Sequence, residues 1–160
     1  MATPTSSANS GSIEAARIAD QLHRAYRGPA WHGPSLKAIL TDVTAERAAL
    51  KPISGAHSIW EIVLHITAWM RIARERLTAS EARTVGDEED WQAPGSTSWS
   101  ETLIALESAE RDLEETIRGF PDARLEERAP ATEPQTYYQL LHGVVQHTLY
   151  HAGQIILLNK

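Results

Sequence analysis

Two histidines four residues apart, His147 and His151, share a stripe with Leu140, Val144, Ile155 and Leu158. Spacings of three and four put these side chains on one face of a helix, the face that should enter a core. Cβ atoms four residues apart lie roughly 5–6 Å from one another. Two such imidazoles can therefore converge on one ion at about 2.0–2.1 Å, the usual zinc–nitrogen distance. The same spacing suits two core histidines satisfied by hydrogen bonds, and the stripe alone does not choose. Either way four ring nitrogens need partners, and a cation would take two of them at once.

A third histidine bears on the choice. His65 belongs to a second helical pattern, beside Ile62, Trp69 and Ile72, at the margin of its buried face. By itself it reads as a boundary residue with one nitrogen in water. Halfway along an adjacent helix, however, it can meet the other pair across a bundle. Three histidines without a fourth protein ligand leave room for water or substrate, the open arrangement of catalytic zinc sites. Thr148 stands where the HExxH motif of zinc proteases carries its glutamate, which argues against that chemistry. Walker, G-x-S-x-G and glycine-rich dinucleotide motifs are absent from the sequence.

The elements that must position these residues are helical throughout. Ala15, Ile18, Ala19, Leu22, Ala25 and Tyr26 predict a first helix over 13–27, ended by Gly28-Pro29. Leu36, Ile39, Leu40 and Val43 suggest a short helix, and Thr44 can cap another turn before Pro52. Ile59, Ile62, Val63, Ile66, Trp69 and Met70 mark a long helix running to about Leu77. Residues 79–97 form a polar connection, whose acidic run Asp87-Glu88-Glu89-Asp90 reads as solvated loop. Ser98 and Glu101 have capping-box spacing and open a third long helix that Gly119 and Pro121 close. The last runs from about Gln135 to Leu158. Four long amphipathic segments without a strand pattern indicate an all-α four-helix bundle. The long links after the first two permit crossovers.

His57 to Trp69 (HSIWEIVLHITAW) and His147 to Gln154 (HTLYHAGQ) together resemble the DinB/YfiT-like superfamily. The resemblance covers about residues 13–158, with its specific motifs confined to these two helices. It implies a four-helix bundle with unusual crossovers and a three-histidine metal site: His65 from the second long helix, His147 and His151 from the fourth. It further implies thiol-dependent transferase or isomerase activity, with hydrolase roles also in view, and frequent homodimers. Imidazole ligands suit zinc, nickel, iron and copper. The expected cofactor is thus a divalent transition metal, and the expected partner a small molecule such as a low-molecular-weight thiol.

Other polar residues carry weaker expectations. Trp31-His32-Gly33-Pro34 can cover the mouth of the site or plug the bundle end. His57 is expected to help start its helix. Glu61, four residues before His65, is either a base, an acceptor behind the ligand or a solvated glutamate. Gln154 is expected to support a ligand or the structure, and His23 and His142 to lie at the surface.

Bulk properties narrow the class. The 160 residues suit one domain over 13–160, after a Ser/Thr-rich leader at 1–12 that has neither the basic start nor the apolar stretch of a signal peptide. No apolar run is long enough to span a membrane. Zero cysteines exclude disulfides and thiolate ligands, and make a cytoplasmic location the default expectation. A net charge of −6, with basic residues scattered among acids as in Arg71, Arg74, Glu75 and Arg76, argues against nucleic acid and reads as a solvated helix face.

Overall fold

The protein is described by a computed structural model over residues 13–160. The leader expected at 1–12 lies outside the described residues. Four long helices dominate: α1 (Ile13–Tyr26), α4 (Ile59–Thr78), α6 (Trp99–Arg118) and α7 (Tyr137–Leu158). Three short ones, α2 (Leu36–Leu40), α3 (Ala45–Ala49) and α5 (Asp87–Asp90), lie in the connections. Among the described residues there is no strand, and the protein is all-helical as its periodicity requires.

Local chemistry sets the helix ends. Ser98 and Glu101 form the expected capping box, and Ser58–Glu61 and Thr136–Gln139 form two more. The two free amides of Glu14 and Ala15 at the start of α1 donate to the Asp122 carboxylate, both at 2.9 Å. Ser35 and Thr44 cap α2 and α3 in the same way. Each satisfied cap stabilises its helix by about 1 kcal/mol.

The long helices pack as α1 on α6, α6 on α4, α4 on α7 and α7 on α1. This closed ring makes α1 diagonal to α4, and α6 diagonal to α7. The chain thus crosses the bundle after its first long helix, as expected. The connection after the second joins neighbours and is no crossover; the other crossing follows α6. Ile18, Leu22, Ile66, Met70, Leu106, Leu113, Leu141 and Ile155 are completely buried along the axis between the four helices. The pairing of α4 with α7 is what brings His65 to the two histidines of the last helix.

The 79–97 connection is only partly the solvated segment expected from its acidic run, for Asp87 and Glu88 are exposed while Glu89 and Asp90 are half-buried. It contains α5, and Arg83 ties it to the bundle with hydrogen bonds of 2.6–2.8 Å to Glu75 of α4 and Glu89 of α5. Its far end folds over the histidines.

Candidate metal centre

α4 presents His65 to the face of α7 where His147 and His151 lie one turn apart. The Nε2 atom of His147 is 2.9 Å from that of His65 and 3.0 Å from that of His151. His65 and His151 are 5% and 4% exposed, and His147 is half-buried. The structure thus brings together all three histidines singled out from the sequence, as a group that could hold a metal ion.

The hydrogen bonds around the rings fix where their protons lie. His65 Nδ1 donates to the backbone carbonyl of Asp90 at 2.7 Å, because a carbonyl only accepts. His151 Nδ1 donates to Gln154 Oε1 at 2.7 Å. Both rings, when neutral, therefore aim a bare Nε2 lone pair at His147. A proton on His147 Nε2 can serve at most one of these well, and leaves His147 Nδ1 as a bare acceptor. Among the described residues that Nδ1 is buried without a partner. Protons alone leave lone pairs facing one another; a cation at the meeting point would satisfy all three.

Spacing and charge agree with such an occupant. Nitrogens bound at about 2.0–2.1 Å to a tetrahedral ion stand roughly 3.3 Å apart, so the separations of His147 from His65 and from His151 need open only by tenths of an ångström. Burial and the neighbouring imidazoles push the His147 pKa down to about 3. Burial lowers His65 and His151 as well, against the opposing pull of Asp90 and Gln154. All three are neutral near pH 7, the state that coordinates metals.

The DinB superfamily model matches residues 19–155, which span most of the bundle and all three histidines. The chain belongs to the DinB superfamily. No curated protein and no solved structure matches it.

In this DinB-superfamily protein the 79–97 connection supplies a wall of the centre that sequence reasoning missed. The Trp91 indole stacks on His65 with 3.8 Å between centroids, and His57 stacks on its other face at 3.6 Å. His57 is thus a packing partner of Trp91; Ser58 supplies the cap. Asp90 adds its side chain to the backbone contact, its Oδ1 accepting from Trp69 Nε1 at 2.6 Å. A lone tryptophan in a polar link, in need of somewhere to bury its ring, was the available clue to this wall.

The remaining candidates separate clearly. Gln154 backs His151, as expected of a residue behind a ligand. Glu61 accepts from the Ser58 amide and from Lys51 Nζ, both at 2.8 Å, so it is a capping residue and neither a base nor an acceptor behind His65. Trp31 is fully exposed and His32 exposed; that turn neither plugs the bundle nor covers the centre. Thr148 is completely buried and donates to Val144 O, so no catalytic glutamate could project from its position. His142 is half-buried against Tyr138 instead of lying at the surface, and His23, also half-buried, pairs with Glu114 at 3.1 Å. His23, Glu110 and Glu114 form a second group of potential ligands. Arg27 and Arg118 already reach its carboxylates, at 3.0 and 2.8 Å, so it reads as an ion-pair cluster.

Two cavities meet at the triad. One, about 350 Å³, runs from His65 and His147 past Trp69 to Arg76, Gln135 and Gly143. The other, about 540 Å³, is bordered by His65, His147, His151, Trp91, Tyr150 and Gln154. Among the described residues, no helix is long and apolar enough to cross a membrane.

Proposed function

We propose that the protein is an enzyme in which His65, His147 and His151 hold a divalent transition metal with a coordination position left open. The supporting observation is the convergence of three neutral Nε2 atoms at a point that two cavities reach. A divalent ion held there would act as a Lewis acid, favouring the deprotonated form of a thiol or a water. The chain's own residues orient the ligands: Asp90 and Gln154 fix the protons of His65 and His151 on Nδ1, and Trp91 fixes the plane of His65. Among the described residues, neither cavity is lined by a lysine, and the adjacent threonine points into the helix. Two cavities at one centre suit a reaction of two partners, which favours a thiol-dependent transferase or isomerase over a hydrolase.

A second reading makes the ion a purely structural link, because His65 stands on α4 and the other two histidines on α7. Assays pairing small thiols with electrophiles, and assays of activated esters, separate the two. Turnover by the metal-loaded protein that disappears in a folded His151→Ala variant supports the enzyme. Turnover that persists undiminished in that variant rules out this centre as its source.

A further inference from the structure

The cavity that leaves the triad past Trp69 ends at Arg76, a cation that makes no direct ion pair among the described residues. Arg76 follows His65 by eleven residues on α4, three turns plus about 20° of rotation, so both face the same side of the helix. The surrounding sequence, Arg71, Arg74, Glu75 and Arg76, reads as a solvated face, and Arg71, Arg74 and Glu75 are indeed exposed. Arg76 is not: it is 8% exposed and lines the cavity together with His65 and His147.

Long basic side chains usually keep their charged end in water or against a carboxylate. Among the described residues Arg76 has neither an ion pair nor a side-chain hydrogen bond; its guanidinium lies over the Trp69 ring at 5.6 Å. Of the acids around it, Glu75 and Glu89 act on it through their charge without a direct ion pair, and Asp87 and Glu133 border an adjoining cavity with it. Arg83 holds Glu75 and Glu89 with paired contacts of 2.6–2.8 Å. Asp90, which borders the same cavity, accepts from Trp69 Nε1 and lies 3.2 Å from His65 Nδ1. What remains is a planar fork of donors, held by an indole and facing a partly open cleft, a geometry that matches an oxyanion bidentately.

We infer that Arg76 is the anion-recognition residue of a substrate subsite, and that the molecule entering from this side carries a carboxylate at the end remote from the reacting atom. A cavity of about 350 Å³ takes a small organic acid. Held at Arg76, such an acid is oriented along the channel toward His147, and binding energy gathered far from the reacting centre positions the group that reacts. The role as a substrate subsite rests on the triad being the reacting centre; the anion site itself does not.

The test uses the full chain freed of metal by a chelator and then dialysed, so that no ligand binds through an ion. Hexanoate, its uncharged isostere hexanamide, and hexyl phosphate are titrated calorimetrically. The expected result is that hexanoate binds at least tenfold more tightly than hexanamide, and that Arg76→Gln brings the ratio close to one. Arg76→Lys, which keeps a charge without the fork, should retain part of the preference. Gly143→Leu provides a variant that leaves Arg76 intact. A Cβ at Gly143 meets nothing within 4 Å, so the leucine has space to fill the cavity and should weaken hexanoate binding. Equal affinity for acid and amide in the wild type would overturn the inference, as would a preference that survives Arg76→Gln. A preference for hexyl phosphate over hexanoate would keep the anion site but overturn the carboxylate. Metal content measured in parallel on reloaded Arg76→Gln keeps the outcomes separate: a lost anion preference with full metal uptake concerns Arg76 alone.

Discussion

The Trp91 indole lies flat on the His65 imidazole, their planes 5° apart and their centroids 3.8 Å apart. With His57 on the opposite face of the indole, three rings form a single stack that fastens the 79–97 connection onto α4. The contact joins a residue of a polar link to a candidate ligand, and it makes the geometry of the centre depend on a segment outside the four long helices.

Removing the indole tests that dependence. Trp91→Ala should leave the bundle folded, because Trp91 is only half-buried and packs at the margin of the core. His65 then gains freedom about its side-chain bonds, and metal affinity should fall by about tenfold, as for other supports behind metal ligands. Competition against a chromophoric chelator measures it. An affinity equal to that of the wild type would mean that the stack does not orient His65.

Two supports of similar position should respond differently to truncation. Gln154→Ala removes the side-chain acceptor of His151 Nδ1 and should cost about 10–100-fold in metal affinity. Asp90→Ala keeps the backbone carbonyl that accepts from His65 Nδ1 and loses only the contacts of the carboxylate. Its affinity should fall less. The reverse order in the same competition assay would contradict the assignment of the two acceptors.

A separate prediction concerns pH and stability. Glu110 is completely buried, with one carboxylate oxygen on Arg27 and the other without a partner among the described residues, and burial raises its pKa to about 7. With its pKa higher in the folded than in the unfolded chain, the folded state holds the extra proton between the ordinary carboxylate value and about 7. This contribution to stability is fully present below that window and is lost as pH rises through it. The buried histidines act in the opposite direction, since their depressed pKa values make the fold lose stability as pH drops below the ordinary imidazole range. Glu110→Gln isolates the first effect. Its Tm should exceed that of the wild type at pH 8 and approach it at pH 5; a constant difference across that range would refute the raised pKa.

Metal should also stabilise the fold, because its ligands come from two helices. An ion at a hundredfold excess over its Kd contributes about 2.7 kcal/mol, equivalent to a Tm increase of roughly 5–10 °C for a chain of this size. Calorimetry with zinc, before and after chelation, should show that shift in the wild type and none in His147→Ala. A shift of equal size in the variant would place the ion elsewhere.

The bundle was legible in the sequence because its long helices declare themselves locally. Ile59 to Met70 repeat at helical spacing, and Ser98 with Glu101 announces a helix start. The triad was legible because two ligands lie one turn apart and the third sits at the edge of a strong apolar pattern. Trp91 and the Asp90 carbonyl were not, since a non-repeating link gives no periodicity from which to place its side chains. Glu61 was ambiguous because it shares the face of His65, although its spacing from Ser58 is that of a capping box. Arg76 was misread for a tertiary reason. Glu75 and Glu89 are held by Arg83, a residue of the following connection, and among the described residues the buried arginine makes no direct ion pair.

The central claim is that one ion binds at His65, His147 and His151, and elemental analysis of protein purified without an affinity tag measures it most directly. Omitting the tag matters, since a nickel column can load such a site. Wild type should carry, or take up on exposure to zinc, nickel or iron, about one equivalent of metal, and folded His65→Ala should lose most of it. Wild-type protein that neither carries nor accepts a metal, or a His65→Ala variant that binds a full equivalent with unchanged affinity, would contradict the account.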